Sequence, residues 1–145
     1  MSQLTPVRTG LDVGFDGQEM PPCFAGLKGP VWRSIPAAAE FPFEDSQFEA
    51  VVLAGSVVNL TAVREAHRVL RPDGCLYFVV PENRGGRPDG LTMPQVYQLV
   101  REGYNIIGVE RPKWRWLGLG KSTLTICARK KNWNNLKGAT YRPYV

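Results

Sequence analysis

Residues 41–81 read FPFEDSQFEAVVLAGSVVNLTAVREAHRVLRPDGCLYFVVP and predict a strand, a helix and a second strand in succession. Two apolar runs, residues 50–54 and 75–80, are short, unbroken and rich in β-branched and aromatic residues. Strands without polar alternation are typical of parallel sheets that are buried on both faces. The apolar stripe between them predicts a helix over residues 58–71, which the sequence RPDG at 71–74 ends. The stretch is therefore a βαβ unit of an α/β fold.

The flanking sequence extends this unit in both directions. Downstream, Thr92 can cap a helix over residues 94–101, followed by a strand at 104–109. Residues 121–129 alternate between two faces and predict a further strand. Upstream, residues 9–13 and 31–35 predict two short strands, and the rest of the first forty residues predicts loops.

Length and composition limit the class of protein. A chain of 145 residues predicts one domain, with an irregular part at 1–40, a core at 41–130 and a tail at 131–145. No apolar run approaches the roughly 20 residues that span a bilayer, and the first residues lack the pattern of a secretory signal. The three cysteines are far apart and lack metal-ligand spacing, so a reducing cytoplasm is expected.

The net charge of +5 is distributed unevenly along the chain. From residue 101 onward there are ten Lys or Arg and two acids, whereas residues 1–100 carry eight bases and eleven acids. A basic segment of this kind suits a solvated face, an acidic partner or nucleic acid. The candidate partner surface combines bases with tryptophans: Arg111, Lys113, Trp114, Arg115, Trp116 and Lys121. Packing or a protein interface ranks first for these residues and nucleic acid second.

Several phrases of the sequence resemble class I S-adenosylmethionine-dependent methyltransferases of the type 11 kind. They are FPFED at 41–45, FEAVV at 48–52, REAHRVLRPDG at 64–74 and LYFVVP at 76–81. The resemblance covers about residues 37–130 and implies a shortened Rossmann-like sheet. In this sheet a mostly parallel part is followed by a C-terminal antiparallel hairpin, and the helices lie mainly on one face. It names no methyl acceptor.

The resemblance also implies where S-adenosylmethionine would bind, if the chain binds a cofactor. The sequence LDVGFDG at 11–17 is similar to the glycine-rich start of the family, which assigns Asp12, Gly14 and Gly17 to the cofactor. Ala54, Gly55 and Ser56 match the loop beside the transferable methyl group, and Asn59 matches a position that is often polar. No catalytic residue and no metal ligand is assigned.

The sequence departs from the family in the same region. Asp16 stands where the second glycine belongs, and Ala37 stands where many members carry the acid that contacts adenine. Only 25 residues separate Gly17 from Phe43, too few for the usual helices and third strand. Reduced or lost cofactor affinity is expected. Two functions therefore remain: a compact methyltransferase, or a degenerate methyltransferase-fold module that binds a partner or dimerises without catalysis.

The missing helices would leave one apolar face of the sheet uncovered. Because such a face is unfavourable in water, either the N-terminal segment or a second copy of the chain must cover it. We predict a homodimer through this face.

Three further side chains invite a chemical role that the sequence does not support. His67, the one histidine, lies in mid-helix and is interpreted as structural. Cys75 and Cys127 fall within apolar strands and are interpreted as inert core thiols.

Overall fold

The computed structural model describes residues 7–16, 20–81, 91–110 and 123–131, and within them six strands form one sheet. The strands are β1 (Thr9–Val13), β2 (Val31–Ile35), β3 (Phe48–Leu53), β4 (Leu70–Pro81), β5 (Tyr104–Glu110) and β6 (Thr123–Lys130). Their order across the sheet is β2-β1-β3-β4-β6-β5. The first four run parallel, and β6 is antiparallel to β4 and β5. The predicted fold class is confirmed.

Three α-helices and a 3₁₀ turn connect the described strands: α1 (Pro22–Ala25), α2 (Leu60–Val69), α3 (Met93–Val100) and the turn Gly55–Val57. Asn59 begins α2, since its side-chain oxygen accepts from the Ala62 N–H at 2.8 Å. Thr92 begins α3 through a capping box with Gln95, as its position in the sequence predicts. No helix in these ranges is long and apolar enough to cross a bilayer.

The predicted bounds of α2 were wrong by two residues at each end. Val58 precedes the cap, and the chain is already extended at Leu70. The residues RPDG belong to β4, where they form an irregularity between the pairs Phe48–Leu70 and Ala50–Cys75. Asp73 takes a left-handed conformation there, with φ 66°. The tight turn predicted after the helix is therefore a bulge within the strand.

The larger core lies between the sheet and helices α2 and α3. Alternate strand residues point to this side, as the alternating pattern of β6 predicts. The helices contribute buried residues to this core: Val63, Ala66 and Val69 from α2, and Val96 and Val100 from α3. The buried strand residues of this core are Leu11, Val13, Phe48, Val51, Leu53, Leu70, Leu76, Phe78, Val80, Tyr104, Leu124, Ile126 and Ala128.

A smaller core covers the opposite side of the sheet. Phe24 of α1 and Leu27 of the following turn are fully buried there, and the Phe24 ring lies 5.4 Å from that of Tyr77. They pack over a set of strand residues: Ala50, Val52, Tyr77 and Cys127. The N-terminal segment therefore covers the centre of this face, the first of the two alternatives that the sequence left open.

The connection from β2 to β3 contains no helix and is held against α2 by one guanidinium, together with backbone bonds from the Ser46 and Gln47 N–H groups to the Arg68 and Val69 carbonyls. Arg68 of α2 donates to the carbonyl oxygens of Phe41 at 2.9 Å and Phe43 at 2.8 Å. It also donates to the carboxylates of Glu65 and Asp45. These bonds fix the loop against α2 without secondary structure of its own.

Candidate functional site

A groove opens where β1 and β3 end side by side. The chain leaves β1 toward β2 on one side and returns to β3 on the other, so this is the topological switch point of the sheet. Ligands of open α/β sheets bind outside the carboxyl ends of the strands at such a point. The groove has a volume of about 460 Å³. Its lining residues are Val13, Ala37, Ala38, Ala39, Ser56, Val57, Asn59, Thr61 and Ala62.

The chain that leaves β1 keeps the backbone conformation of a glycine-rich turn. Gly14 has φ 83° and Asp16 has φ 51°, both in the left-handed region. The Gly14 N–H donates to the Ile35 carbonyl at 2.9 Å, which ties the turn to the end of β2. Asp16 occupies the predicted glycine position, and aspartate tolerates this region better than most residues with a β-carbon.

Val57 lies on the side of Gly14 where a side chain would project. A β-carbon placed on Gly14 would be 2.7 Å from one γ-methyl carbon of Val57 and 3.1 Å from the other. The turn after β3 therefore packs against the glycine that the resemblance assigns to the cofactor.

Asp12 lies on the opposite side of the sheet from α2. Its Oδ2 accepts from Trp32 Nε1 and from Ser34 Oγ, both at 2.7 Å. The parallel register places Asp12 beside Ser34. The Trp32 ring lies over Gly10, where a β-carbon would be 1.9 Å from the ring. The carboxylate that the sequence assigned to the cofactor thus joins β1 to β2.

The predicted loop after β3 reaches the groove through one of its three residues. The Ala54 N–H donates to the Val13 carbonyl at 2.9 Å, which aligns the ends of β3 and β1. Gly55 passes close to β4, because its β-carbon would lie 2.5 Å from the Val79 carbonyl oxygen. Ser56 follows and lines the groove beside Asn59, whose side chain also caps α2.

The wall opposite Ser56 consists of alanines. Ala37, where the family often has an acid, lines the groove together with Ala38 and Ala39. Within the described ranges, no carboxylate or basic side chain lines it. Sequence reasoning missed the last two alanines, Val57 and Thr61, although a run of small residues directly after β2 was a visible signal.

Of the remaining predicted residues, several fall outside the described ranges, and His67 is not among the residues that line the groove. Gly17 and the basic tryptophan-bearing segment that contains Arg111, Lys113, Trp114, Arg115, Trp116 and Lys121 lie outside the described residues. His67 contacts Tyr104 edge to face, with ring centroids 5.3 Å apart. Its pKa is lowered to about 4, first by burial and then by the Lys130 charge. A neutral, largely buried imidazole fits the structural interpretation.

Comparison with known proteins agrees with this architecture. A family model described as a methyltransferase domain matches residues 25–78. A candidate methyltransferase of Bacillus halodurans superimposes with a TM-score of 0.67 at 13% identity, over 90% of this chain and 95% of that one. No sequence among curated proteins matches the chain.

Two further solved structures differ in their reactions. One is the 1,6-didemethyltoxoflavin-N1-methyltransferase of Burkholderia thailandensis with bound S-adenosylhomocysteine. It has a TM-score of 0.60 at 20% identity, over 88% of this chain and 72% of that one. The other is the [4+2]-cyclase SpnF, with a TM-score of 0.62 at 17% identity, over 88% and 76%.

The sheet order, the switch-point groove and the C-terminal antiparallel strands define a Rossmann-like α/β protein. Its fold is that of the class I S-adenosylmethionine-dependent methyltransferases, and the resemblance of the sequence to this superfamily is confirmed.

Proposed function

We propose that the groove between β1 and β3 binds S-adenosylmethionine with low affinity, and that the chain is a slow methyltransferase for an unidentified acceptor. The observation that carries the proposal is the left-handed backbone at Gly14 and Asp16, which directly follows Val13 at the edge of a groove of about 460 Å³. Pockets for small molecules and cofactors have volumes of about 300–1,000 Å³. The groove thus has the position, size and backbone conformation that the cofactor needs.

The described residues divide the groove into two parts. The backbone at Gly14 and the side chains of Ser56 and Asn59 would hold the polar end of the cofactor, which supplies an electrophilic methyl group when bound. Ser56 is also placed to orient an acceptor, and positioning is most of what methyl transfer requires. The alanine wall offers van der Waals contact to a flat ring and no hydrogen bond to a ribose. Low affinity follows, since a site without polar partners gains little selectivity.

Calorimetric titration with S-adenosylmethionine and S-adenosylhomocysteine tests the proposal. We expect dissociation constants on the order of 0.1–1 mM for the unaltered chain. Val57→Ala should tighten binding about five- to tenfold by clearing the approach to Gly14. Val109→Ala is the matched control, because Val109 is also a half-buried valine but lies in β5, away from the groove. If neither the unaltered chain nor Val57→Ala gave a heat of binding at millimolar ligand, the proposal would be overturned.

The second candidate is a methyltransferase-fold module without catalysis. The contact of Val57 with Gly14 favours this second candidate, because the valine side chain closes the turn that in the family approaches the cofactor. The fold does not fix the reaction, as the [4+2]-cyclase illustrates. The calorimetric titration separates the two candidates, because the absence of binding in both the unaltered chain and Val57→Ala supports the non-catalytic module.

A homodimer remains part of the proposal. Phe24 and Leu27 already bury Ala50 and Val52, so a second copy would find less apolar surface than the sequence predicts. Sedimentation at micromolar concentration decides the matter, and a monomer would remove the dimer from the proposal.

Binding of an anionic or protein partner by the basic C-terminal third is likewise proposed from the sequence. Filter binding to oligonucleotides over a salt series tests the nucleic-acid alternative, which predicts affinity that falls steeply with salt. Absence of binding at low salt would leave a protein interface or packing of the tryptophans.

A further inference from the structure

A second cavity lies between α2 and the end of α3, on the outer surface of the two helices. It has a volume of about 260 Å³. Its lining residues are Leu60 and Arg64 from α2, and Gln98, Arg101 and Glu102 from α3 and the turn that follows it. It shares no lining residue with the groove between β1 and β3, so the two cavities are separate.

The backbone on the α3 side of this cavity is anchored by hydrogen bonds. The Lys131 ammonium donates to the Arg101 carbonyl at 3.1 Å, and the Lys131 N–H donates to the Gly103 carbonyl at 2.9 Å. The Tyr104 hydroxyl donates to the Val63 carbonyl of α2 at 3.0 Å, and this bond is buried. The two walls of the cavity are therefore held in a fixed relation to each other, although most of the lining side chains are exposed.

The cavity contains charged groups of both signs. Arg64 and Arg101 each carry a guanidinium, which can bind a carboxylate through two parallel N–H···O bonds. Glu102 is half-buried and carries acceptor oxygens for a cationic donor. Because consecutive residues of a helical turn do not face each other, Arg101 and Glu102 present their charges at different places.

These charges select one kind of ligand. A simple anion would be attracted by the guanidiniums and repelled by Glu102, and a simple cation would meet the reverse. A molecule with a carboxylate and an ammonium satisfies both groups. Leu60 is 40% exposed and lines the same cavity, so it offers an apolar contact beside the charges. The volume is slightly below the usual range for drug-sized ligands and suits a molecule of about ten heavy atoms.

We propose that the cavity between α2 and α3 binds a free α-amino acid with an apolar side chain. Arg101 and Arg64 bind its carboxylate, Glu102 accepts from its ammonium, and Leu60 contacts its side chain. The dissociation constant is on the order of 1–10 mM, because exposed ion pairs contribute little binding energy. This site does not depend on binding of S-adenosylmethionine in the other groove.

Titration of L-leucine into the nitrogen-15-labelled protein, followed by NMR, tests the proposal. At about 50 mM leucine, at least five times the expected dissociation constant, the site is mostly occupied. We expect amide shifts concentrated in residues 60–64 and 98–102. Two shortened forms of the same probe supply the comparison: 4-methylpentanoate lacks the ammonium, and 3-methylbutylamine lacks the carboxylate. Each should bind at least about fivefold more weakly than leucine.

Variants of the charged residues assign the contacts. Arg101→Gln should weaken binding of both leucine and 4-methylpentanoate about fivefold, because both carry the carboxylate. Glu102→Gln should weaken leucine alone and should tighten 4-methylpentanoate, since the neutral amide no longer repels a carboxylate. Arg71→Gln is the matched control, because Arg71 is a half-exposed arginine of β4 that does not line the cavity. It should leave leucine binding unchanged.

Three results would overturn the proposal. The first is the absence of leucine-dependent shifts in both ranges. The second is equal affinity of the unaltered chain for leucine and for either shortened probe. The third is a loss of leucine binding in Arg71→Gln as large as in Arg101→Gln, which would show a general attraction to positive charge.

Discussion

The side chain of Val57 lies against Gly14, with a γ-methyl carbon 2.7 Å from the point where a β-carbon would stand. One residue belongs to the turn after β3 and the other to the turn after β1. The contact joins the two connections that border the groove. It explains why the chain keeps glycine at this position whether or not a cofactor approaches it.

Gly14→Ala should destabilise the protein by about 1–3 kcal/mol. The substitution places a β-carbon in a left-handed conformation and against Val57. Urea denaturation measures the loss. The double variant Gly14→Ala with Val57→Ala removes the clash and keeps the backbone strain. Its loss of stability should therefore be smaller than the sum of the losses in the two single variants, and the part due to backbone strain should remain. Equal stability of Gly14→Ala and the unaltered chain would contradict the geometry.

Asp12→Ala should lower the free energy of unfolding by about 2 kcal/mol. The Trp32 N–H and the Ser34 hydroxyl both donate to the same carboxylate oxygen, and both would lose their acceptor. Ser34→Ala is the matched control, because it removes one donor and leaves the other bond intact, at a cost of about 1 kcal/mol. If Asp12 served only a ligand, Asp12→Ala would leave stability unchanged and weaken binding alone.

Arg68→Met should destabilise the protein by about 2–4 kcal/mol. It would leave the carbonyls of Phe41 and Phe43 without the guanidinium donor, and the Glu65 carboxylate would keep only the Phe41 N–H. The pKa of Glu65 is lowered chiefly by its hydrogen bond with Arg68 and should rise in the variant. Proteolysis should then cleave the loop between β2 and β3 first.

The control for this variant is Arg71→Met. Arg71 forms a half-exposed pair with Glu49 at 3.7 Å, and such surface pairs contribute about 0–1 kcal/mol. A similar loss in both arginine variants would show that Arg68 has no special role in holding the loop.

Much of the fold follows from local patterns of the sequence. Strands β1 and β2 have the predicted bounds, and Thr92 caps α3 as predicted, because alternation and capping depend on residues near in sequence. The four-residue helix α1 has no periodicity to detect. The RPDG segment has a turn composition, and only its pairing with β3 makes it a bulge.

The candidate site was less predictable because its contacts join distant segments. Gly14 and Ser56 lie in phrases that the resemblance assigns to the cofactor. The contact of Val57 with Gly14 depends on how two turns pack, and the bonds of Asp12 depend on the register of β1 with β2. A pattern along the chain contains neither the packing nor the register.

His67 should make the stability of the protein fall as the pH is lowered from about 6.5 toward 4. Its pKa in the folded protein is about 4, first because of burial and then because of Lys130, whereas the unfolded value is about 6.5. Between these values the unfolded state binds more protons, so this contribution is complete above 6.5 and is lost as the pH falls. Allowing for the exposed part of the ring, the loss is about 2 kcal/mol. Urea denaturation from pH 4.5 to 7 in the unaltered chain and in His67→Gln isolates the effect, since every other titrating group is common to both proteins. The difference in unfolding free energy between the two proteins should shrink toward low pH, and a difference that stays constant with pH would show that His67 titrates normally.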